Sequence, residues 1–127
     1  MNSKKQYSSF KDLDVWRLGI DFVIMIYELS KNFPSDERFG LTSQIRRAAV
    51  SIPSNIAEGQ GRKSAKENVQ FLHIAKGSLA EVETQLIICE RLGYVNNLDD
   101  LNIIMKRLRS MIAGLINSLN QDNRAEH

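Results

Sequence analysis

The side chains best suited to catalysis or metal binding are few and widely separated along this sequence. Cys89 is the only cysteine, and the two histidines are His73 and His127. A di-metal site in a helical bundle uses inward-facing glutamates together with Glu-x-x-His, but the residue three positions before His73 is Gln70. The sequence also lacks the Gly-x-Ser-x-Gly motif of a nucleophilic serine. We therefore predict no catalytic residue, no metal site and no cofactor, in a protein that is not an enzyme.

Basic residues offer a different chemistry, because small groups of them could bind phosphates. One group lies in QIRRAAV, and another lies in GQGRKSAK, where two glycines precede the start of a helix. A helix N-terminus beside basic side chains can hold a phosphate, although a plain helix-helix turn is the alternative. A third group, Lys106, Arg107 and Arg109, fits a solvated face equally well. The residues predicted to contact nucleic acid are Arg46, Arg47, Arg62, Lys63 and Lys66.

Aromatic side chains that could stack on unpaired bases are in short supply. Five of the nine aromatic residues are predicted to pack inside the protein: Trp16, Phe22, Tyr27, Phe33 and Phe71. This assignment argues against recognition by base stacking.

The net charge of the protein is too small to attract nucleic acid at long range. The 127 residues include 17 basic and 15 acidic ones, a formal net charge of +2, so any such role must depend on local patches. One cysteine fits a reducing compartment. The N-terminus has no apolar core of signal-peptide length, and no uncharged run approaches the roughly 20 residues of a membrane span. We expect a cytoplasmic protein with no membrane partner.

The elements that position these groups are helical, and the segment from Gln44 to Gly59 is the most informative of them. Its apolar residues recur at intervals of three and four, on one side of a helix: Leu41, Ile45, Ala48, Ile52 and Ile56. A polar stripe has the same spacing: Gln44, Arg47, Ser51, Asn55 and Glu58. Apart from Arg47, its members are predicted to be structural, and a ligand-binding role for Asn55 and Glu58 is the alternative. Two such stripes could also pair across a subunit contact. Pro53 predicts a kink near Ala49, and the alternative is two helices that separate at Ile52.

The first helix, predicted from Asp12 to Asn32 with Asp12 as N-cap, is apolar all round in FVIMIY. A helix apolar on every side needs two burial surfaces. The predicted bundle seam is Leu18, Phe22, Met25 and Leu29. The remaining face would meet another subunit, or be covered by the other three helices: Trp16, Ile20, Val23, Ile24 and Tyr27.

Two further helices follow, each with an apolar seam of alternating three and four spacing. The third begins at the capping-box pattern Ser64-Ala65-Lys66-Glu67 and ends at Gly93. Its predicted seam is Leu72, Ala75, Leu79, Val82, Leu86 and Cys89. Gly77 within it predicts close approach of a neighbouring helix. The fourth is capped by Asn97, with the seam Leu101, Met105, Leu108, Ile112, Leu115 and Leu119.

Short connections between four such helices predict an all-α, antiparallel, up-down-up-down four-helix bundle with the second helix kinked at Pro53. We expect residues 1–11 to form a flexible arm with Phe10 as a hydrophobic tether, residues 12–119 to form the bundle, and residues 120–127 to be a frayed tail.

Three segments together resemble one bacterial family. FKDLDVW, FGLTSQIRRAAVSIPSNIAEGQGR and FLHIAKGSLAEVETQL are similar to the four-helix-bundle proteins of the 23S rRNA-intervening-sequence (S23) family, over about Phe10 to Leu119. The resemblance implies a homopentamer, and some members are encoded within insertions in 23S rRNA genes. The accessory protein of diversity-generating retroelements, a basic pentamer that binds nucleic acid and its reverse transcriptase, has a similar fold. The near-neutral charge here departs from those basic relatives.

These observations lead to two hypotheses of different class. The first is a ring-forming helical bundle without enzymatic activity that binds structured RNA or a ribonucleoprotein through its basic groups. The second is a scaffold ring that docks another protein and has no nucleic-acid role.

Overall fold

Four long helices account for most of residues 9–125, the part of the chain that this computed structural model describes. They are α1 (Asp14–Ser30), α2 (Leu41–Gln60), α3 (Ala65–Arg91) and α4 (Asp99–Ala125). Short 3-10 helices, Phe10–Asp12 and Ser35–Glu37, precede α1 and α2. Residues 9–125 contain no strand, and the predicted four-helix bundle is confirmed.

The helices pack in chain order, and α4 returns to lie against α1. Ser30, at the end of α1, accepts a hydrogen bond from Arg46 in the first half of α2. Gly19, near the start of α1, faces Pro53 in the second half of α2. The two helices therefore run in opposite directions.

Helix α2 continues through Pro53 without a break, so the alternative of two helices separated at Ile52 is wrong. Proline costs about 3 kcal/mol in a helix interior, because a donor is lost and the ring crowds the preceding turn. Pro53 is buried, and its Cβ lies 3.4 Å from where a Cβ on Gly19 would be. Packing against α1 offsets part of that cost. The kink near Ala49 stays a prediction.

The predicted core residues of α2 and α3 are confirmed almost without exception. In α2 only Leu41 is less than fully buried, and all six seam residues of α3 are buried. In α4 the buried seam follows the prediction as far as Ile112 and then uses Ile116, so that Leu115 and Leu119 are half-buried.

The predicted seam of α1 is wrong except at Phe22. Leu18, Met25 and Leu29 are only partly buried. The buried residues of this helix are Val15, Gly19, Phe22, Ile26 and Ser30. The buried face of α1 therefore includes Gly19, which packs against Pro53 of α2.

The predicted starts of the helices have mixed outcomes. The Oγ atom of Ser64 accepts a hydrogen bond from the backbone N–H of Glu67 at 3.1 Å, which confirms the α3 cap. Asn97 Oδ1 accepts a hydrogen bond from the N–H of Asp99 at 2.8 Å. Because α4 begins at Asp99, Asn97 lies two residues before the helix rather than directly before it. Asp12 is not the N-cap of α1. It belongs to the preceding 3-10 helix, which Ser9 caps.

The close approach between neighbouring helices occurs at Gly59 and not at Gly77. A Cβ added to Gly77 would have no neighbour within 4 Å, so the predicted close approach of another helix at Gly77 is wrong. A Cβ on Gly59, by contrast, would lie 2.5 Å from Oδ1 of Asn68. The tight contact between α2 and α3 is therefore at Gly59.

The ends of the chain extend the bundle. Phe10 packs edge-on against Trp16, with ring centroids 5.2 Å apart, whereas residues 1–8 of the expected arm lie outside the described part. Helix α4 continues to Ala125, past the residue where the tail was expected to begin. Within residues 9–125, no helix combines the length and the apolar character that crossing a membrane requires.

Candidate nucleic-acid interface

The basic residues predicted to contact phosphates lie at the two ends of α2. Arg46 and Arg47 lie on its first half, whereas Arg62 and Lys63 follow its last residue, Gln60. The helix from Arg47 to Gln60 is roughly 20 Å long at 1.5 Å per residue. One subunit thus presents two separate basic groups.

The first group borders a groove between the end of α1 and the start of α2, with a volume of about 510 Å³. We name it the Phe39 groove. Its lining residues are Tyr27, Arg38, Phe39, Thr42, Ser43, Arg46, Arg47 and Val50. The lining contains three arginines, and none of the described residues that line it is acidic.

Arg46 is already engaged within the subunit. Its Nε donates to the hydroxyl of Ser30 at 2.7 Å, and its Nη2 donates to the carbonyl of Tyr27 at 3.4 Å. The guanidinium also lies over the Tyr27 ring, 4.6 Å from the centroid. These contacts fix the side chain as part of the groove wall, so its first role is to hold Tyr27 in place.

Arg47 is exposed and, within the described chain, makes no ion pair or hydrogen bond through its side chain. It borders the Phe39 groove and also a smaller polar cavity with Gln44, Ser51, Ser78 and Glu81. Its guanidinium is therefore available to an external anion.

The second group contains one engaged arginine and two available lysines. Arg62 donates to Glu58 at 2.6 Å and lies over the Phe71 ring, 4.6 Å from its centroid. Lys63 and Lys66 are exposed and have no ionic partner among the described residues. Of the third basic group, Arg109 pairs with Glu83 at 2.9 Å.

The polar stripe of α2 is divided between α3 and solvent. The hydroxyls of Ser51 and Ser78 are 2.8 Å apart, and the amide of Asn55 donates to both the carbonyl and the hydroxyl of Ser51. Gln44 and Glu58 are exposed. The middle of the stripe thus contacts α3 of the same subunit.

The residues predicted for a subunit contact form a partly exposed apolar face on α1. Trp16, Ile20 and Val23 are half-buried, whereas Ile24 is 57% and Tyr27 38% exposed. Next to Ile24, an apolar groove of about 440 Å³ separates α1 from Leu101 of α4. The three companion helices leave this face incompletely covered.

The candidates for reaction chemistry within the described residues are Cys89 and His73. Burial raises the pKa of the Cys89 thiol, and the charge of Glu37 raises it further, which disfavours the reactive thiolate. His73 is exposed on α3. No group of three or more potential metal-binding side chains occurs within the part of the chain that the structure describes.

Sequence reasoning missed Phe39, the most exposed large apolar residue of the described chain at 88%. Its position between Arg38 and Gly40 in a short charged connection was the available signal. Tyr27 was predicted to be packed, but its ring borders the Phe39 groove. The shortage of accessible aromatic rings is therefore smaller than predicted.

Comparison with known proteins adds a family to this geometry. A family model described as 23S rRNA-intervening sequence protein matches residues 11–116, which include all of α1, α2 and α3 and most of α4. Among curated proteins, none has a sequence that matches this chain. The match extends over most of the bundle, and the chain therefore belongs to the family of 23S rRNA-intervening sequence proteins.

Proposed function

We propose that this protein is a non-enzymatic helical bundle that binds structured RNA, or a ribonucleoprotein, through the basic groups at the two ends of α2. The observation that supports this most is the set of exposed cations that have no ionic partner among the described residues: Arg47, Lys63 and Lys66. Lysine and arginine side chains that neutralise phosphates release condensed counterions, which favours binding to any nucleic-acid backbone.

Engaged residues support the same proposal in a different way. Arg46 and Arg62 each lie over an aromatic ring at 4.6 Å, so their guanidinium groups are held in place before any ligand arrives. Such preorganisation lowers the entropic cost of binding. Arg47 and Lys63 each directly follow one of these two fixed arginines in the sequence.

Self-assembly would bring several copies of these groups together. The exposed Ile24 and the apolar groove beside Leu101 are features of surfaces that become covered by a second protein. The family resemblance implies a homopentamer, in which modest groups would form a belt of positive charge. Light scattering should give the mass of an oligomer, and a monomer mass at micromolar concentration would reject this part of the proposal.

A salt-dependent binding assay tests the RNA proposal. Fluorescence anisotropy with labelled 23S rRNA fragments should show affinity that falls steeply between 50 and 200 mM salt (roughly the range in which phosphate contacts are screened). Changing Arg47, Lys63 and Lys66 together to Gln should lower the salt slope by about one for each phosphate contact removed.

A matched control removes equal charge elsewhere on the protein. Exposed cations of α3 and α4 serve for this purpose: Lys76, Lys106 and Arg107, each changed to Gln. The control should retain most of the wild-type salt slope. Equal losses in both variants would mean that only net charge matters, and the α2 groups would not be the binding site.

A scaffold for another protein is the second candidate, favoured by exposed apolar side chains outside the Phe39 groove. Ile103 is 61%, Leu92 54% and Ile74 51% exposed. A pull-down that recovers one stoichiometric protein after nuclease treatment would favour the scaffold. Loss of every partner with nuclease would favour RNA.

A further inference from the structure

The Phe39 groove combines two properties that a ligand with only phosphates would not need. It has positive charge from Arg38, Arg46 and Arg47, and it has an aromatic ring, Phe39, that is 88% exposed. The Arg38 guanidinium lies over one face of this ring, 5.4 Å from the centroid, which leaves the other face for a base. Recognition of paired RNA depends on shape and backbone contacts, because its bases are stacked inside the helix. An exposed ring beside arginines instead suits an unpaired nucleotide, whose base can stack while its phosphate pairs with a guanidinium.

The backbone that presents Phe39 is held on both sides. The N–H of Arg38 donates to Ser35 at 3.2 Å, and the N–H of Gly40 donates to the carbonyl of Glu37 at 2.9 Å. The Glu37 carboxylate accepts from the N–H of Leu41 at 3.1 Å through one oxygen. Its other oxygen accepts from the Tyr94 hydroxyl at 2.8 Å. Phe39 thus extends from an ordered connection.

The other side of the groove is equally fixed. Arg46 donates a hydrogen bond to the carbonyl of Tyr27, and its guanidinium lies over the Tyr27 ring. Val50 contributes an apolar surface that is 38% exposed, and Thr42 and Ser43 add half-buried hydroxyls. The volume of about 510 Å³ lies within the range of roughly 300–1,000 Å³ that is typical of small-ligand sites.

We propose that the Phe39 groove binds an unpaired nucleotide of RNA, with its base stacked on Phe39 and its phosphate held by Arg38 and Arg47. This inference rests on the proposed RNA-binding function and names the class of RNA: single strands, loops, bulges or ends rather than continuous duplex. Charge complementarity decides the choice of partner, since no described residue lining the groove is acidic. The role of Arg46 is to position Tyr27.

The test compares three RNAs with two variants of one residue. The RNAs are a hairpin with a large loop, a blunt duplex of equal length, and an unstructured strand, all measured by anisotropy at one salt concentration. Phe39→Leu keeps an apolar side chain but removes the π face, whereas Phe39→Tyr keeps the ring. Ile103→Ala removes another exposed apolar side chain, 61% accessible, from α4 and serves as the control.

We expect Phe39→Leu to weaken binding to the unstructured strand and the hairpin by about 5- to 100-fold, the range found when one base loses an aromatic partner. Phe39→Tyr and the control should stay within about twofold of wild type, and duplex binding should be unchanged. Because the side chain is exposed, all variants should fold, and denaturation curves check this directly.

Each other outcome has a definite meaning. Salt-sensitive RNA binding that Phe39→Leu leaves intact would overturn the stacking site while the proposed function stands. Absence of salt-sensitive binding in the wild type would remove both. A Phe39→Leu variant with a changed oligomer mass, or with loss of a nuclease-resistant protein partner, would assign the groove to a second copy or to a protein instead.

Discussion

Replacing Gly59 with alanine should leave the stability of the bundle unchanged or lower it, whereas the same change at Gly77 should stabilise the bundle. A Cβ at Gly59 would lie 2.5 Å from Oδ1 of Asn68, 3.0 Å from Cβ of Phe71 and 3.1 Å from the backbone oxygen of Asn68. The amide could rotate, but the other two atoms move only with α3. At Gly77 the added methyl would meet nothing within 4 Å.

The change in the free energy of unfolding depends on two opposing effects, the helix preference of alanine and the cost of overpacking. Alanine is favoured over glycine in a helix interior by about 1 kcal/mol, which gives the expected gain for Gly77→Ala. Overpacking a tight contact costs roughly 1–3 kcal/mol, so Gly59→Ala should range from neutral to about 2 kcal/mol destabilising. The helix preference of alanine over glycine cancels when the stability change of Gly77→Ala is subtracted from that of Gly59→Ala. The remaining difference, about 1–3 kcal/mol, measures the packing between α2 and α3.

Urea denaturation followed by circular dichroism, with all variants at one protein concentration, provides the assay. Equal concentration matters because self-association would add to the apparent stability. Gly77→Ala should unfold at higher urea than wild type, and Gly59→Ala at lower or equal urea. If both variants are stabilised equally, the helices are not in tight contact at Gly59 and the packing described here is wrong.

Three further predictions concern two buried core residues, Ile52 and Cys89, and the half-buried Tyr94. Ile52→Ala, at a fully buried position, should lower the free energy of unfolding by about 2–5 kcal/mol in the same urea assay. Cys89, fully buried with a raised pKa, should resist thiol reagents in the native protein and react only as fast as the protein opens. Native labelling as rapid as that of unfolded protein would contradict its burial. The hydrogen bond to Glu37 raises the pKa of Tyr94 in the folded state, so folding favours the protonated phenol. The stability it contributes is complete below pH 10, the ordinary tyrosine value, and is lost as pH rises above it. Tyr94→Phe should flatten this alkaline decline, and an unchanged decline would refute the linkage.

The fold was largely predictable because three helices have one apolar side. In α3 every predicted seam residue, from Leu72 to Cys89, is buried. The seam predicted for α1 was wrong because it was chosen within FVIMIY, a segment whose residues are all apolar. The buried residues lie opposite the charged residues of the whole helix, which mark its solvent side: Asp14, Arg17, Asp21 and Glu28.

The candidate site was predictable in composition but not in detail. Arg46 and Arg47 are adjacent and chemically identical, yet one is fixed against Tyr27 and the other is exposed. Which of them faces α1 depends on the rotation of α2 in the bundle. Phe39 escaped notice because a lone aromatic residue in a short connection has no periodicity to mark it as exposed.

Salt titration of RNA binding tests the role of the exposed cations most directly. For wild-type protein and a 23S rRNA fragment, the logarithm of the binding constant should fall linearly with the logarithm of salt concentration. The slope should become shallower by about one for each of Arg47, Lys63 and Lys66 that contacts a phosphate and is changed to Gln. A binding constant that does not vary with salt, or no binding at 50 mM (a low ionic strength at which phosphate contacts are strong), would contradict the proposed function.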